Sequence, residues 1–358
     1  MSQILAHPVV ARGDISPMAL ARTELHRLWA RGCDFLGVDI AILGGGMTWV
    51  SERNLVAAIS NAGGFGVIAC GAMEPDRLAT EIEATFALTD KPFGVNLITM
   101  HPQLEALIDV CARLNVGHVV LAGGLPPSAA VRRIRDSGAK AICFAPALVL
   151  AKKLVRIGAD ALVIEGMEAG GHTGPVTTSV LAQEILPVIH EVPVFVAGGI
   201  GRGEAIVSYL EMGAAGVQLG TRFVCATESI AHENFKKAFI RAEARDATLS
   251  VQLDPRFPVI PVRAIANAGT KRFTEVQREV IAKVDQGLLD QKAAQLEIEH
   301  FWAGALRRAV VDGDVENGSL MAGQSVGLVK SEQPVAEILA ELMAQAETAL
   351  MRRREARG

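Results

Sequence analysis

VPVFVAGGIGRGEAIVSYLEMGAAGVQLGTRF, residues 192–223, is the stretch that decides the fold. It opens with a short run that is apolar at nearly every position, as a strand buried on both faces requires. Glycines stop that run. GEAIVSYLE then has helical spacing, glycine ends it, and AAGVQLG resumes a buried strand. Strand, glycine turn, helix, glycine, strand is one βαβ unit, with parallel strands and a right-handed crossover expected.

The same unit repeats outward from this stretch. Going toward the N-terminus, the apolar runs are ADALVIEG (159–166), KAICFA (140–145), HVVLAGG (118–124), PFGVNLIT (92–99), GFGVIAC (64–70) and DIAILGG (39–45). With VPVFVAGG (192–199) and AAGVQLG (214–220) they number eight. Segments such as SERNLVAAISNAG and PPSAAVRRIRDSG lie between them as helices closed by glycine. Eight such units predict an α/β protein of the (β/α)8, or TIM, barrel type rather than an open sheet. The barrel is expected over residues 21–224, after a flexible N-terminal extension at 1–20.

Past residue 225 the rhythm changes to a mostly helical appendage. ESIAHENFKKAFIRAEARDA and TKRFTEVQREVIAKVDQGLLDQKAAQLEIEHF read as long helices with polar faces. DPRFPVIPVRAIANAG between them reads as a loop or short extended segment. Residues 225–330, ending in the glycine-rich GDVENGSLMAGQSVGLV (313–329), are expected to form a lid over the substrate region. Residues 331–358 are expected to form a C-terminal helix that could close the barrel.

Composition bounds the function. The 358-residue chain is 50% hydrophobic and only 4% aromatic, so its core must come from Ala, Val, Leu and Ile. A formal net charge of −4, with no long basic run apart from Arg352–Arg354, gives no reason to expect nucleic acid as a partner. No apolar run approaches the ~18 residues of a membrane span. The scattered Cys33, Cys70, Cys111, Cys143 and Cys225 read as reduced thiols of a soluble cytoplasmic protein. No metal-ligand spacing occurs.

In a (β/α)8 enzyme the site lies at the carboxyl ends of the strands, with phosphate commonly held after strands 7 and 8. Here strand 7 ends in Gly198 and Gly199, and strand 8 in Gln218, Leu219, Gly220 and Thr221. Glycine lets backbone N–H groups approach a phosphate, and a following helix N-terminus would add positive field. GGIGRG does not match a dinucleotide fingerprint. The densest candidate follows strand 6: IEGMEAGGHTG, 164–174, where Glu165 and Glu168 flank Gly166, and Gly170 and Gly171 precede His172. Such a run can wrap a planar ligand and offer one imidazole for acid–base work. Strand 1 ends in Gly45, Gly46 and Met47, and strand 3 carries Asn96, a polar amide that needs a partner if buried.

EGMEAGGHTG, KPFGVN, VAGGIGRG and VQLGTRF together resemble the nitronate monooxygenase (2-nitropropane dioxygenase) superfamily of FMN-dependent (β/α)8 enzymes, over residues 36–345. Within it, GGMTWV, VRAIANAGTKRF and AGALRRAVVDGDVENGSLMAGQSVGLVKSEQ are similar to bacterial enoyl-acyl-carrier-protein reductase II. The resemblance implies FMN contacts at Gly45, Gly46, Met47, Asn96, Glu165 and Gly170, and phosphate contacts at Gly199, Gln218, Gly220 and Thr221, with Gly171, Gly198 and Leu219 also among the cofactor-binding residues. It implies Met321, Ala322 and Gly323 near the flavin, and His172 as the active-site histidine. It further implies NADH or NADPH as reductant and a 2-enoyl thioester as substrate, with acyl carrier protein and a second copy of the chain among the candidate partners. Alkyl nitronate oxidation is the alternative. An acidic carrier would meet a basic rim, for which Arg222, Lys236, Lys237, Arg307 and Arg308 are the candidates. The chain departs from the reductases before GGM, where Gly44 replaces a usual Gln, and in AGGLPPS after strand 4. Both departures are read as touching the substrate side.

Overall fold

The computed structural model describes residues 16–71, 73–257 and 261–356. In chain order, α1 (Pro17–Leu36) precedes β1 (Ile42–Gly44), α2 (Arg53–Asn61), β2 (Gly66–Ala69), α3 (Pro75–Phe86), β3 (Phe93–Ile98) and α4 (Leu104–Arg113). Then come β4 (His118–Ala122), α5 (Ser128–Asp136), β5 (Lys140–Phe144), α6 (Leu148–Arg156), β6 (Ala161–Glu165), the two-residue β7 (Gly171–His172) and α7 (Thr178–Ile185). The barrel part ends with β8 (Val194–Ala197), α8 (Gly203–Glu211), β9 (Gly216–Leu219) and the single turn α9 (Thr221–Val224).

The expected barrel forms. Eight parallel strands run in the order β1-β9-β8-β6-β5-β4-β3-β2. The ring is closed by Gly44 N–H donating to Phe65 O and Phe65 N–H donating to Ile42 O, both at 2.9 Å. Alternation along the strands sorts the side chains. Leu43, Phe65, Val67, Val120, Ile142, Val163 and Phe195 fill the interior, while Ile42, Ile68, Val95, Leu121, Ile164 and Val196 face the helices.

α1 starts at Pro17 with Ser16 as its cap, inside the segment read as an extension; residues 1–15 lie outside the described residues. The appendage also departs from the sequence reading. The helix expected after residue 228 is only α10 (Glu233–Arg241), after which the chain turns into β10 (Ala247–Leu249). The Pro-rich segment supplies β11 (Val262–Ile265), which pairs antiparallel with β10 on one edge and β7 on the other. The next long helix is two, α11 (Ala268–Asp285) and α12 (Gln291–Val310), parted by Gly287 at φ +71° and restarted by the Asp290 cap. α13 (Val335–Glu355) lies against α8, α1 and α2, so it occupies the outer-ring position that follows β9. Gly203 makes this possible: a Cβ there would stand 2.2 Å from Leu342 O. No described helix is long and apolar enough to cross a membrane.

Candidate active site

The last inward-facing rung of the barrel is where the interior changes from apolar to polar. Asn96 of β3, Glu165 of β6 and Gln218 of β9 occupy it, beside Phe144 at the end of β5. Asn96 and Gln218 are 6% and 8% exposed. None of the three side chains hydrogen-bonds another described residue. Their polar atoms are not sealed from solvent, so water from the barrel mouth can meet them and a polar ligand could take its place. Glu165 is reached by water from the barrel mouth, yet protein atoms surround it closely enough that desolvation pushes its carboxyl up to about 8.

Strand β1 brings backbone to this floor. A Cβ on Gly46 would lie 2.7 Å from Asn96 Cβ, and one on Gly45 3.3 Å from Gln218 Nε2. Met47 Sδ lies 3.4 Å from the Cβ position of Gly220. Ser51, which the sequence reading passed over, locks this loop: its Oγ donates to Gly45 O at 2.7 Å and accepts from Met47 N–H at 3.0 Å. Trp49 takes φ +68° in the same loop, and the guanidiniums of Arg77 and Arg307 stand over its ring, 5.6 and 5.9 Å from the centroid.

The second cluster surrounds the glycine-rich loop after β6. Cβ atoms on Gly170 and Gly323 would strike Ala322 C at 2.6 Å and Glu168 O at 2.7 Å, so these backbones touch. Met321 Sδ is 3.6 Å from the Cβ position of Gly171. Gly323 N–H donates to Thr221 Oγ1 at 2.9 Å, which joins this cluster to the end of β9. The Glu168 carboxylate accepts from Thr178 N–H and Oγ1, both at 2.9 Å, and holds the loop against α7. His172 is exposed, with its backbone paired to Val262 of β11. A cavity of about 600 Å³ opens beside Gly198, Gly199, Gln324 and Ser325. It lies beside the loop after β8 and does not reach Asn96 or His172.

Several expectations change. Leu219 gives its carbonyl to Gly45 N–H at 2.8 Å, but its side chain belongs to the core under the helices. The first N–H of α8 goes to Gln345 Oε1 at 2.9 Å, so it is not a phosphate donor. Gly44 faces α2, where a Cβ would meet Ile59 Cδ1 at 2.4 Å; this departure lies on the helix side, not the substrate side. Leu125 of AGGLPPS is exposed on the β4–α5 loop. Of the expected basic rim, Arg222 is buried against Glu341 and Gln333, and Lys236 is buried against Glu332 and Ala226 O. Lys237 and Arg307 are exposed but paired with Glu233 and Asp312.

Comparison with known proteins agrees with this fold. FabK from Thermotoga maritima is 36% identical, with a TM-score of 0.82 over 91% of this chain and 98% of that one. A (3aS,4S,5R,7aS)-5-hydroxy-7a-methyl-1-oxo-octahydro-1H-indene-4-carboxyl-CoA dehydrogenase of Rhodococcus jostii is 30% identical over 350 residues, 92% of this chain and 97% of that protein. A nitronate monooxygenase of Paraburkholderia phytofirmans is 29% identical over 359 residues, 86% of this chain and 92% of that protein. The chain is an oxidoreductase built on a (β/α)8 barrel. More narrowly, it belongs to the nitronate monooxygenase family, whose sequence model matches residues 31–345.

Proposed function

We propose that the protein is an FMN-dependent oxidoreductase of acyl thioesters, with NADH or NADPH as reductant and a 2-enoyl thioester as acceptor. The observation that carries this reading is the unpartnered polar floor, Asn96, Glu165 and Gln218, beneath glycine backbone and beside Met47. Its donor and acceptor set fits the heteroatom edge of a flavin ring. Gly199, Gly220 and Thr221 fit its phosphate. When bound, the flavin supplies two-electron transfer between a nicotinamide and the carbon–carbon double bond.

The chain's own residues do the rest. Each amide of the floor offers one acceptor and two donors, and Glu165, carrying its proton at neutral pH, adds a donor. Met47 covers a ring face. His172, at the rim, would hold the proton for the carbon next to the thioester carbonyl and stabilise negative charge developing on that carbonyl. A thioester is favoured by the resemblance to enoyl-acyl-carrier-protein reductase II and by the CoA thioester in the name of the Rhodococcus relative. With Arg222 and Lys236 buried, the rim offers an acidic carrier protein fewer cations than the sequence suggested.

The second reading is nitronate oxidation, favoured by the family's name and the Paraburkholderia relative. An anaerobic experiment separates the two. The flavoprotein is mixed with NADH, NADPH or propionate-3-nitronate and flavin absorbance is followed. Bleaching by a pyridine nucleotide, reversed by crotonyl thioester, is expected. Bleaching by nitronate alone sinks the thioester reading.

A further inference from the structure

Strand β11 does more than extend a small sheet. Val262 and Arg263 pair with His172 and Gly171 of β7. One step further along, Ala264 bridges to Met321 and Ile265 N–H donates to Leu320 O at 2.9 Å. The opposite edge carries β10. The histidine loop and the methionine loop are thus set in register side by side on one strand, and that strand lies outside the barrel sheet.

Arg263 is the buried cation of this strand. It is 4% exposed and forms no ion pair among the described residues within salt-bridge distance. Its Nε donates to Met167 O at 2.8 Å and its Nη1 donates to Ala247 O. Desolvation lowers its pKa, and the more distant Glu168 charge acts the other way. Burying a guanidinium on neutral carbonyls is costly unless its planar fork meets both acceptors at once. The acceptors here belong to different segments: Met167 stands in the loop that carries Gly166, Gly170, Gly171 and Gly174, and Ala247 begins β10. A chain so rich in glycine has little stiffness of its own. Beyond the β7–β11 pairing at Gly171 and His172, its backbone bonds to the appendage are Gln324 N–H to Glu168 O at 2.9 Å and Thr173 N–H to Pro261 O at 3.0 Å.

We propose that Arg263 is a positioning residue: it ties the glycine-rich loop to β11 and thereby fixes where His172 stands relative to Met321 and the barrel mouth. The catalytic part of this inference rests on the function proposed above. The ordering of the loop does not, and it can be measured without turnover.

The test uses the full-length flavoprotein with Arg263→Met and Arg263→Lys. Hydrogen exchange is followed by mass spectrometry, alongside steady-state kinetics with crotonyl thioester. In Arg263→Met, amides within 167–173 and 320–323 are expected to exchange about tenfold faster or more, the equivalent of one lost charge-assisted bond, while β3 and β4 keep the parent rate. Turnover is expected to fall about 10–100-fold, with KM for the nicotinamide within about threefold of the parent. Arg263→Lys should give an intermediate exchange rate, since an ammonium cannot span both carbonyls. Parent-like exchange in Arg263→Met overturns the proposal. So does acceleration spread evenly into β3 and β4, which marks a less stable barrel. If only Arg263→Lys folds, parent-level exchange in that variant overturns it. If His172→Ala turns over like the parent while loop exchange still follows residue 263, the assigned reaction fails and the loop-ordering inference stands.

Discussion

Glu165 gives the sharpest test at the scale of one residue. In the folded chain its carboxyl holds a proton up to about 8, whereas in the unfolded chain it releases it near the ordinary 4.5. Between those values the folded state binds more protons, so stability falls as pH rises through the window. Glutamine carries no such proton. In ligand-free protein, the melting temperature of Glu165→Gln should gain on the parent steadily from pH 5 to pH 8. A margin that does not change with pH would show an ordinary carboxylate. Gly46→Ala tests the floor from above: its Cβ would press on Asn96 Cβ, a clash that costs roughly 1–3 kcal/mol and displaces the amide. FMN affinity, followed by quenching of flavin fluorescence, should drop at least about tenfold. Retention of parent affinity would remove Asn96 from the site. Asn96 was legible in the sequence because it is a polar residue in an apolar run, whereas Gln218 came only from the resemblance, as a phosphate contact, and the structure sets it on the floor with Asn96. Leu219 was misplaced, although alternation along β9 says that if Gln218 faces in, Leu219 faces out. Arg222 and Lys236 were misread as rim because their carboxylate partners, Glu341 and Glu332, lie about a hundred residues further along the chain.

At the scale of elements, the buried parallel strands were legible because each is a short apolar run and most are bounded by glycine, and their positions fixed which loops meet at the mouth. The three-stranded sheet of β7, β10 and β11 was not legible. Its strands are two to four residues long, too short for any periodicity, and β7 sits inside a glycine cluster that reads as loop. The break between α11 and α12 was signalled by Gly287 and Asp290, but the polar-faced pattern on both sides masked it. Gly203 shows what a glycine at the start of a helix can be for: its hydrogen leaves room for the α13 backbone. Gly203→Val should lower stability by about 2–4 kcal/mol, read from urea unfolding, since both nearest atoms are backbone and cannot move aside. A change under about 0.5 kcal/mol would mean that α8 and α13 are not in close contact.

At the scale of the molecule, the eight-stranded barrel followed from counting units, whereas the helix that completes its outer ring comes after a helical appendage of about a hundred residues. α13 packs on α1 and α8, and Arg22 of α1 holds the buried Glu347 of α13 with two hydrogen bonds of 2.8 and 3.2 Å. A chain ending at residue 330 would lack Leu339, Leu342 and Leu350, would leave the faces of α1 and α8 that α13 covers open to water, and should show no cooperative thermal transition by circular dichroism. A sharp transition in that fragment would show that the ring is stable without its last helix.

The packing of α13 against α1 also sets a timetable. During synthesis the strands leave the ribosome in order, but the helix that seals the cylinder leaves after all of them. Until then the nascent sheet has an uncovered seam, and contacts spanning more than three hundred residues cannot form. Completion of this fold is therefore expected to wait until α13 has emerged, and the unfinished seam is the surface on which a chaperone would act.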